Sequence, residues 1–258
     1  MDQIKTDLHV HSIFTDHAYS TIDENARFAS KQGIELIAIT DHFGPMFIHN
    51  VNSAMFHFNN RIVLPDELYG VRVLRGIEID IVDHKGTLAF SDLVHPYREG
   101  EMITDYILNK CEFVIASVHQ NSDLRPATVA EHTQMYCNAL MNPYVDMIGH
   151  SGRSGMPYEL DEVLKLAKDQ GKIIEINNHS FMLGDSNEKC TQIAERCAEL
   201  GVYIAVNSDA HFAYDIGQYD AARKMLEEIH FPKELIANQS RAKIESVLKA
   251  RKDRITTC

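Results

Sequence analysis

Seven short apolar, β-branched runs punctuate this chain, at residues 4–8, 36–40, 71–77, 113–118, 145–149, 173–177 and 202–207. Between most of them the apolar residues switch to three- and four-residue spacing, over 21–32, 128–141, 158–170, 188–200 and 218–229. A period near two reads as strand and a period near 3.6 as helix. Strand and helix in alternation call for parallel pairing, because a parallel connection needs a crossover long enough to hold a helix. Ser20 stands as an N-cap before the first helical stretch and Gly33 as its stop, and Gly171 and Gly201 close two others just ahead of a strand. No dinucleotide-binding glycine fingerprint follows any strand. The expected fold is therefore α/β, a distorted seven-stranded (β/α)7 TIM-like barrel rather than an open doubly wound sheet.

With 258 residues, 45% of them hydrophobic, the chain can fill one core. It shows no linker, low-complexity tract or internal repeat, so residues 1–258 read as a single domain. Two segments interrupt the alternation. Residues 79–93 read as a hairpin turning at 83–86. Residues 43–69 are too long for an ordinary connection and suit a lid or binding loop, although the Met and Phe residues of 43–58 read better as core or oligomer packing than as a lid lining.

The formal charge is -12 and no run of Lys or Arg occurs, which argues against a protein that grips long nucleic acid along its backbone. The first ten residues have no apolar leader, and no stretch reaches the roughly 18 apolar residues of a membrane helix, so a cytoplasmic location is expected. Five cysteines, none in C-x-x-C spacing, read as reduced thiols: Cys111, Cys137, Cys190, Cys197 and Cys258.

The chemistry lies just past the strands. His9 and His11 end the first run, with His17 soon after; Asp41-His42 follows the second, Glu78 the third, His119 the fourth, His150 the fifth, and Ser208-Asp209-Ala210-His211 the seventh. In a parallel barrel all strand carboxyl ends open on one face, so donors spread along the chain converge. A lone histidine at a strand end is ordinarily just a hydrogen-bonded side chain. The His9/His11 pair points two imidazoles the same way in extended chain, and the whole set together points to metal. His84, His132 and His230 read as solvated, His49 and His57 as candidate substrate contacts, and His179 as structural or as support for a ligand.

The segments DLHVHS, DHAYST, AITDH, LRGIE, ASVH, IGHSG, EINNHSF and NSDAH together resemble the PHP family, named for polymerase and histidinol phosphatase. The chain as a whole is similar to the stand-alone bacterial PHP phosphatases with a trinuclear zinc site. That resemblance implies one metal on His9, His11, Glu78 and Asp209, a second sharing Glu78 and adding His119 and His150, and a third on His17, His42 and His211. It also implies a homo-oligomer.

Imidazole and carboxylate donors without thiolate suit borderline divalent ions, Zn first, with Mn or Fe as alternatives. Three such ions carry six positive charges, of which Glu78 and Asp209 cancel two, so the mouth should attract a compact anion despite the acidic surface. The expected reaction is hydrolysis of a small phosphate monoester by a metal-bridging hydroxide, with Asp209, His211 and Glu78 as the catalytic groups. Arg61 and Arg153 are candidate phosphate clamps. Rival readings are a phosphodiesterase or exonuclease on short nucleic acid, and an amidohydrolase-like hydrolase. The second usually needs a bridging Lys at a middle strand end, which is absent here.

Overall fold

The structure, a computed structural model, describes residues 3–119, 124, 126–183 and 186–257, apart from the side chains of 252–254 and 256–257; Cys258 lies outside the described residues. Its strands are β1 (Thr6–Val10), β2 (Leu36–Ile39), β3 (His42–Phe43), β4 (Glu67–Leu68), β5 (Val71–Asp80), β6 (Phe113–Ser117), β7 (Met147–Ile148), β8 (Ile173–Asn177) and β9 (Ile204–Asn207). The order β1-β2-β5-β6-β7-β8-β9 is parallel throughout, while β3 and β4 are short additions to β5. The expected seven-stranded TIM-like barrel is thus the fold.

Closure between β1 and β9 is irregular. A single parallel bridge joins Val10 to Ala210 at the carboxyl end. Lower down, side-chain amides replace strand pairing: Leu8 N donates to Asn207 Oδ1 (2.9 Å), and Asn238 accepts from Val206 N (2.9 Å) and donates to the carbonyl of Thr6 (3.0 Å). Buried backbone groups at the seam are thereby satisfied without a ladder.

Helices cover the outside: α1 (Ile22–Lys31), α2 (Val51–Asn60), α3 (Ile103–Leu108), α4 (Val129–Met141), α5 (Leu160–Asp169), α6 (Asn187–Leu200) and α7 (Asp220–Glu228). The cap of α1 falls one residue later than expected. Thr21 forms a capping box with Glu24, because the Ser20 hydroxyl is spent on Ala213 N (2.9 Å). A last helix, α8 (Arg241–Thr257), lies beyond any expected element. Its Ile244, with Ala237, packs against Leu8, Leu36, Leu74, Phe113 and Ile173 inside the barrel, which plugs the amino-terminal end of the strands.

The expected hairpin over 79–93 shrinks to one antiparallel bridge, Ile81 to Leu88. β6 holds one edge of β5 as far as Asp80 and β3 holds the other as far as Ile79, so the returning chain reaches only the Asp80 carbonyl, which accepts from Ala89 N (2.8 Å), and the backbone beyond it. The turn at 83–86 does form, held by Asp83, whose carboxylate accepts from the backbone of Lys85 (2.9 Å) and Thr87 (3.0 Å). Residues 43–69 fold into α2, a 3₁₀ turn over Arg61–Val63 and β4, with Ala54, Met55 and Phe58 buried. Packing thus takes part of this segment's apolar side chains, while Phe47 stacks on His42 (3.9 Å between ring centroids) and Met46, Phe56, Ile62 and Val63 stay exposed.

Candidate metal centre

A bulge aims the first two histidines. The β1–β2 register runs Thr6 to Leu36 and Asp7 to Ile37, then Val10 to Ile39, so β1 spends one residue more than its partner. Leu8 joins the barrel interior, and the extra residue lets His9 and His11 also face inward from the next layer. At the other strand ends, His150 (φ 25°) and Asp209 (φ 59°) adopt left-handed backbone, an uncommon state for side-chain-bearing residues that clusters at functional sites. Gly149 is needed just ahead of His150, because a Cβ there would stand 2.2 Å from Ser117 Oγ.

Glu78, fully buried, is the hub. Its Oε2 lies 2.8 Å from His42 Nδ1, 3.1 Å from His9 Nε2 and 3.5 Å from His11 Nε2. Its Oε1 accepts from Ser117 Oγ (2.6 Å) and faces His150 Nε2 (2.8 Å) and His119 Nε2 (3.6 Å). Asp209 Oδ1 in turn stands 3.3 Å from His9 Nε2 and 3.2 Å from His11 Nε2. Donors around a tetrahedral ion with bonds of about 2.0–2.1 Å sit roughly 3.3 Å apart. The contacts of His9 and His11 with Glu78 and Asp209 match that spacing.

Hydrogen bonding decides which nitrogen each ring offers. Asp41 accepts from Ser12 N (2.6 Å), Ser12 Oγ (2.8 Å) and Thr15 Oγ1 (3.1 Å). Having given its proton to Asp41, the Thr15 hydroxyl can only accept from His11 Nδ1 (3.3 Å), which leaves Nε2 as a lone pair. In the same way His9 Nδ1 donates to Glu175 (2.8 Å), His119 Nδ1 to Asp80 (2.6 Å) and His211 Nδ1 to the carbonyl of Asp209 (3.0 Å). His9 Nε2, His11 Nε2, His42 Nδ1, Glu78 Oε2 and His211 Nε2 are buried without a hydrogen-bond partner. Buried polar atoms are normally paired, so several converging orphans of donor type are what a cation would satisfy.

The charges agree. Burial works against ionised Glu78, yet His9, His42 and His119 hold it well below the usual carboxylate range. Asp209 is likewise held well below that range against burial, by His9 and Arg153. Burial opposes charge on His9, but Asp209, Glu78 and Glu175 lift it well above an ordinary imidazole. Burial and then His42 push His11 well below one. Carboxylates this deep, faced mainly by imidazoles, call for positive charge. The residues present therefore fit divalent cations.

Among the described residues, four sets of three each bring their ligand atoms within 4.8 Å of one another: His9/His11/Asp209, His9/Glu78/His150, His42/Glu78/His119 and His11/His42/His211. They bring together all but one of the expected ligands and partition them differently, with His42 beside Glu78 and His11 beside His211. His17 is the exception. It is exposed, its ring stacked on His211 (4.5 Å between centroids) and His42 (5.3 Å), and burial with His211 and His42 lowers it to about 4. It sits at the rim rather than in any of the four sets.

The two arginines part company. Arg153 donates to Asp209 Oδ2 and to Asn177 Oδ1 (2.7 Å), which places it at the mouth. Arg61 is buried and does not reach the mouth. Its guanidinium is spent on Asp41 and on the carbonyls of Ile39 (3.0 Å) and Gly76, because the chain after β2 leaves those acceptors facing α2. The arrangement makes it a brace for Asp41, contrary to the expected phosphate clamp. His57 stacks on Phe14 (3.6 Å) and meets Arg61 rather than the mouth, and His179 is exposed.

Reading the sequence by strand ends found Asp41 but missed two acids behind the ligands, Glu175 and Asp80. Glu175 carried a signal, being a charge flanked by the isoleucines of the run IIEIN, where only paired burial is tolerated. Asp80 lies two residues after Glu78 and so on the same face of β5.

Known proteins resemble this sequence and share this fold. The chain is 41% identical over 250 residues to a probable phosphatase of Acetivibrio thermocellus, covering 96% of this chain and 97% of that one. It is 41% identical over 251 residues to a probable phosphatase of Caldanaerobacter subterraneus, covering 96% and 92%. The fold is shared with the histidinol phosphate phosphatase of Lactococcus lactis, solved with Zn, L-histidinol and phosphate (TM-score 0.59, 19% identity, 90% of this chain and 95% of that one). It is shared too with a Xaa-Pro dipeptidase (TM-score 0.52, 12% identity, 97% and 76%), so the fold alone does not choose a reaction. The PHP domain pattern matches residues 7–179, and on that match and the relatives' identity this chain belongs to the PHP domain family.

Proposed function

We propose that this protein is a metal-dependent phosphatase that hydrolyses a small phosphate monoester at a trinuclear centre, with Zn the leading metal. The observation that carries the reading is the convergence of orphaned imidazole nitrogens on Glu78 and Asp209. The probable phosphatases to which the chain is similar, and the Zn and phosphate in the Lactococcus structure, point the same way.

His9, His11, Glu78, His119, His150, Asp209, His42 and His211 would hold the ions, with His17 at the rim beside the last two. When bound, divalent ions lower the pKa of water toward 7 and neutralise the phosphoryl oxygens. The chain's own residues do the rest. Hydrolysis adds a water oxygen to phosphorus and breaks the ester P–O bond, so one proton leaves the water and one reaches the departing alcohol. Asp209 Oδ1, facing the mouth, is the acceptor for the first, while Arg153 holds Oδ2 and fixes the carboxylate. His211, half-buried, donates from Nδ1 to the Asp209 carbonyl and offers only a lone pair at Nε2, so it would hold a cation there, and the departing alcohol takes its proton from solvent water at the mouth. Arg153 also adds positive charge for an anionic ester, and Glu78 keeps the imidazoles together. Because the donors span β1 to the loop after β9, the catalytic unit is the whole barrel.

The test is a panel: p-nitrophenyl phosphate and phosphorylated metabolites beside single-stranded DNA, phosphodiesters and dipeptides, each with zinc-loaded protein. Release of inorganic phosphate from monoesters is expected. Turnover of dipeptides or diesters alone would overturn the reading.

A further inference from the structure

We propose that Glu175 is the positioning residue that makes His9 a metal donor, so that β8, whose end carries no ligand, serves the metal centre from behind. The proposal rests on reading the mouth as a metal centre. Glu175 is buried in the middle of β8, and both its oxygens are filled. Oε1 accepts from His9 Nδ1 (2.8 Å) and Asn207 Nδ2 (2.9 Å), and Oε2 from the backbone N of His150 (2.7 Å) and Asn177 Nδ2 (3.2 Å). One carboxylate thus ties together β1, β9 and the start of the loop after β7.

An ionised carboxylate only accepts. While Glu175 is ionised, His9 must keep its proton on Nδ1 and present a lone pair at Nε2, toward Glu78 and Asp209. Outer partners of this kind fix ring orientation and tautomer, and their loss typically weakens metal binding by about 10–100-fold. Glutamine cannot take the place of this acid. If its amide nitrogen faces His9, the imidazole must accept at Nδ1, and the proton moves to Nε2, where a metal should sit. If the amide nitrogen faces the other way, it confronts the N–H of His150 and the amide of Asn177, both donors.

The readout is metal affinity, independent of turnover. Zinc titrations in competition with a chromophoric chelator would compare wild type, Glu175→Gln, His9→Ala and the double variant, with circular dichroism to confirm folding. One zinc site is expected to weaken about 10–100-fold in Glu175→Gln, and the double variant to bind no worse than His9→Ala alone. Wild-type affinity at every site in Glu175→Gln, or additive losses in the double variant, would overturn the proposal. If Glu175→Gln does not fold, ring-nitrogen NMR of zinc-loaded wild type decides. His9, assigned by loss of its signal in His9→Ala, must be protonated at Nδ1, and a bare Nδ1 sinks the idea. Wild type that binds no zinc would remove the metal-centre reading itself, an outcome separate from equal binding by wild type and variant.

Discussion

The two ends of the barrel are built on opposite principles. At the carboxyl end, imidazole and carboxylate atoms are buried with no hydrogen-bond partner, and His150 and Asp209 hold left-handed backbone. At the amino end, charge is buried only when matched. Arg251 Nε donates to Asp146 Oδ2 (2.8 Å), the same carboxylate oxygen accepts from Val114 N (2.9 Å), and α8 closes the floor with Ile244 against the interior cluster. The floor satisfies its groups internally and stabilises the fold. The mouth leaves unsatisfied atoms that only a ligand can complete, a cost accepted where function needs it.

The largest test of this contrast strikes the mouth. Asp209→Ala should lower kcat/KM toward a phosphate monoester by on the order of 10⁴-fold, about 5.4 kcal/mol in barrier. Its melting temperature should stay close to that of wild type in metal-free buffer. Unfolding instead would place Asp209 among the structural groups. The converse experiment strikes the floor. Asp146→Ala strands the Arg251 guanidinium and should cost about 3–5 kcal/mol in denaturant unfolding, with turnover per folded molecule unchanged. Reduced turnover of the folded fraction would show that the ends are coupled.

Stripping metal should come next in size. Each zinc site held at 100 times its dissociation constant should add about 2.7 kcal/mol over chelated protein. Asp146→Ala should keep that increment and Asp209→Ala should lose part of it, by differential scanning calorimetry.

The smallest effect is alkaline and belongs to the floor. Burial pushes the Cys111 thiol from 9.0 up to about 12. A raised folded value means stability is fully present below pH 9 and falls as pH rises toward 12, because only the unfolded thiol ionises there. The slope from this group is at most about 1.4 kcal/mol per pH unit. Denaturation midpoints between pH 8 and 10 should fall less steeply in Cys111→Ala.

Most of the mouth was legible because barrel geometry turns position along the chain into position in space. Once strands were read from period-two runs, His42, Glu78, His119, His150 and Asp209 had to meet wherever the strands ended. Arg61 was not legible in that way. A cation in a long segment has no periodic neighbours to fix its direction, and only the fold of α2 and its following turn showed it bracing Asp41. The acids behind the ligands were hidden for a related reason. Strand ends were searched, whereas Glu175 acts from mid-strand across the barrel on a residue 166 positions away.

By itself, then, the sequence determined the seven barrel strands, most of the helices between them and which strand end carries metal-binding chemistry, since these follow from local periodicity and the order of residues along each strand. Tertiary structure alone decided how the donors divide into sets, which ring nitrogen each histidine offers and which arginine meets the mouth. Those depend on a bulge in β1, on the β1–β9 seam and on hydrogen bonds between strands far apart in the chain, and no local pattern encodes them.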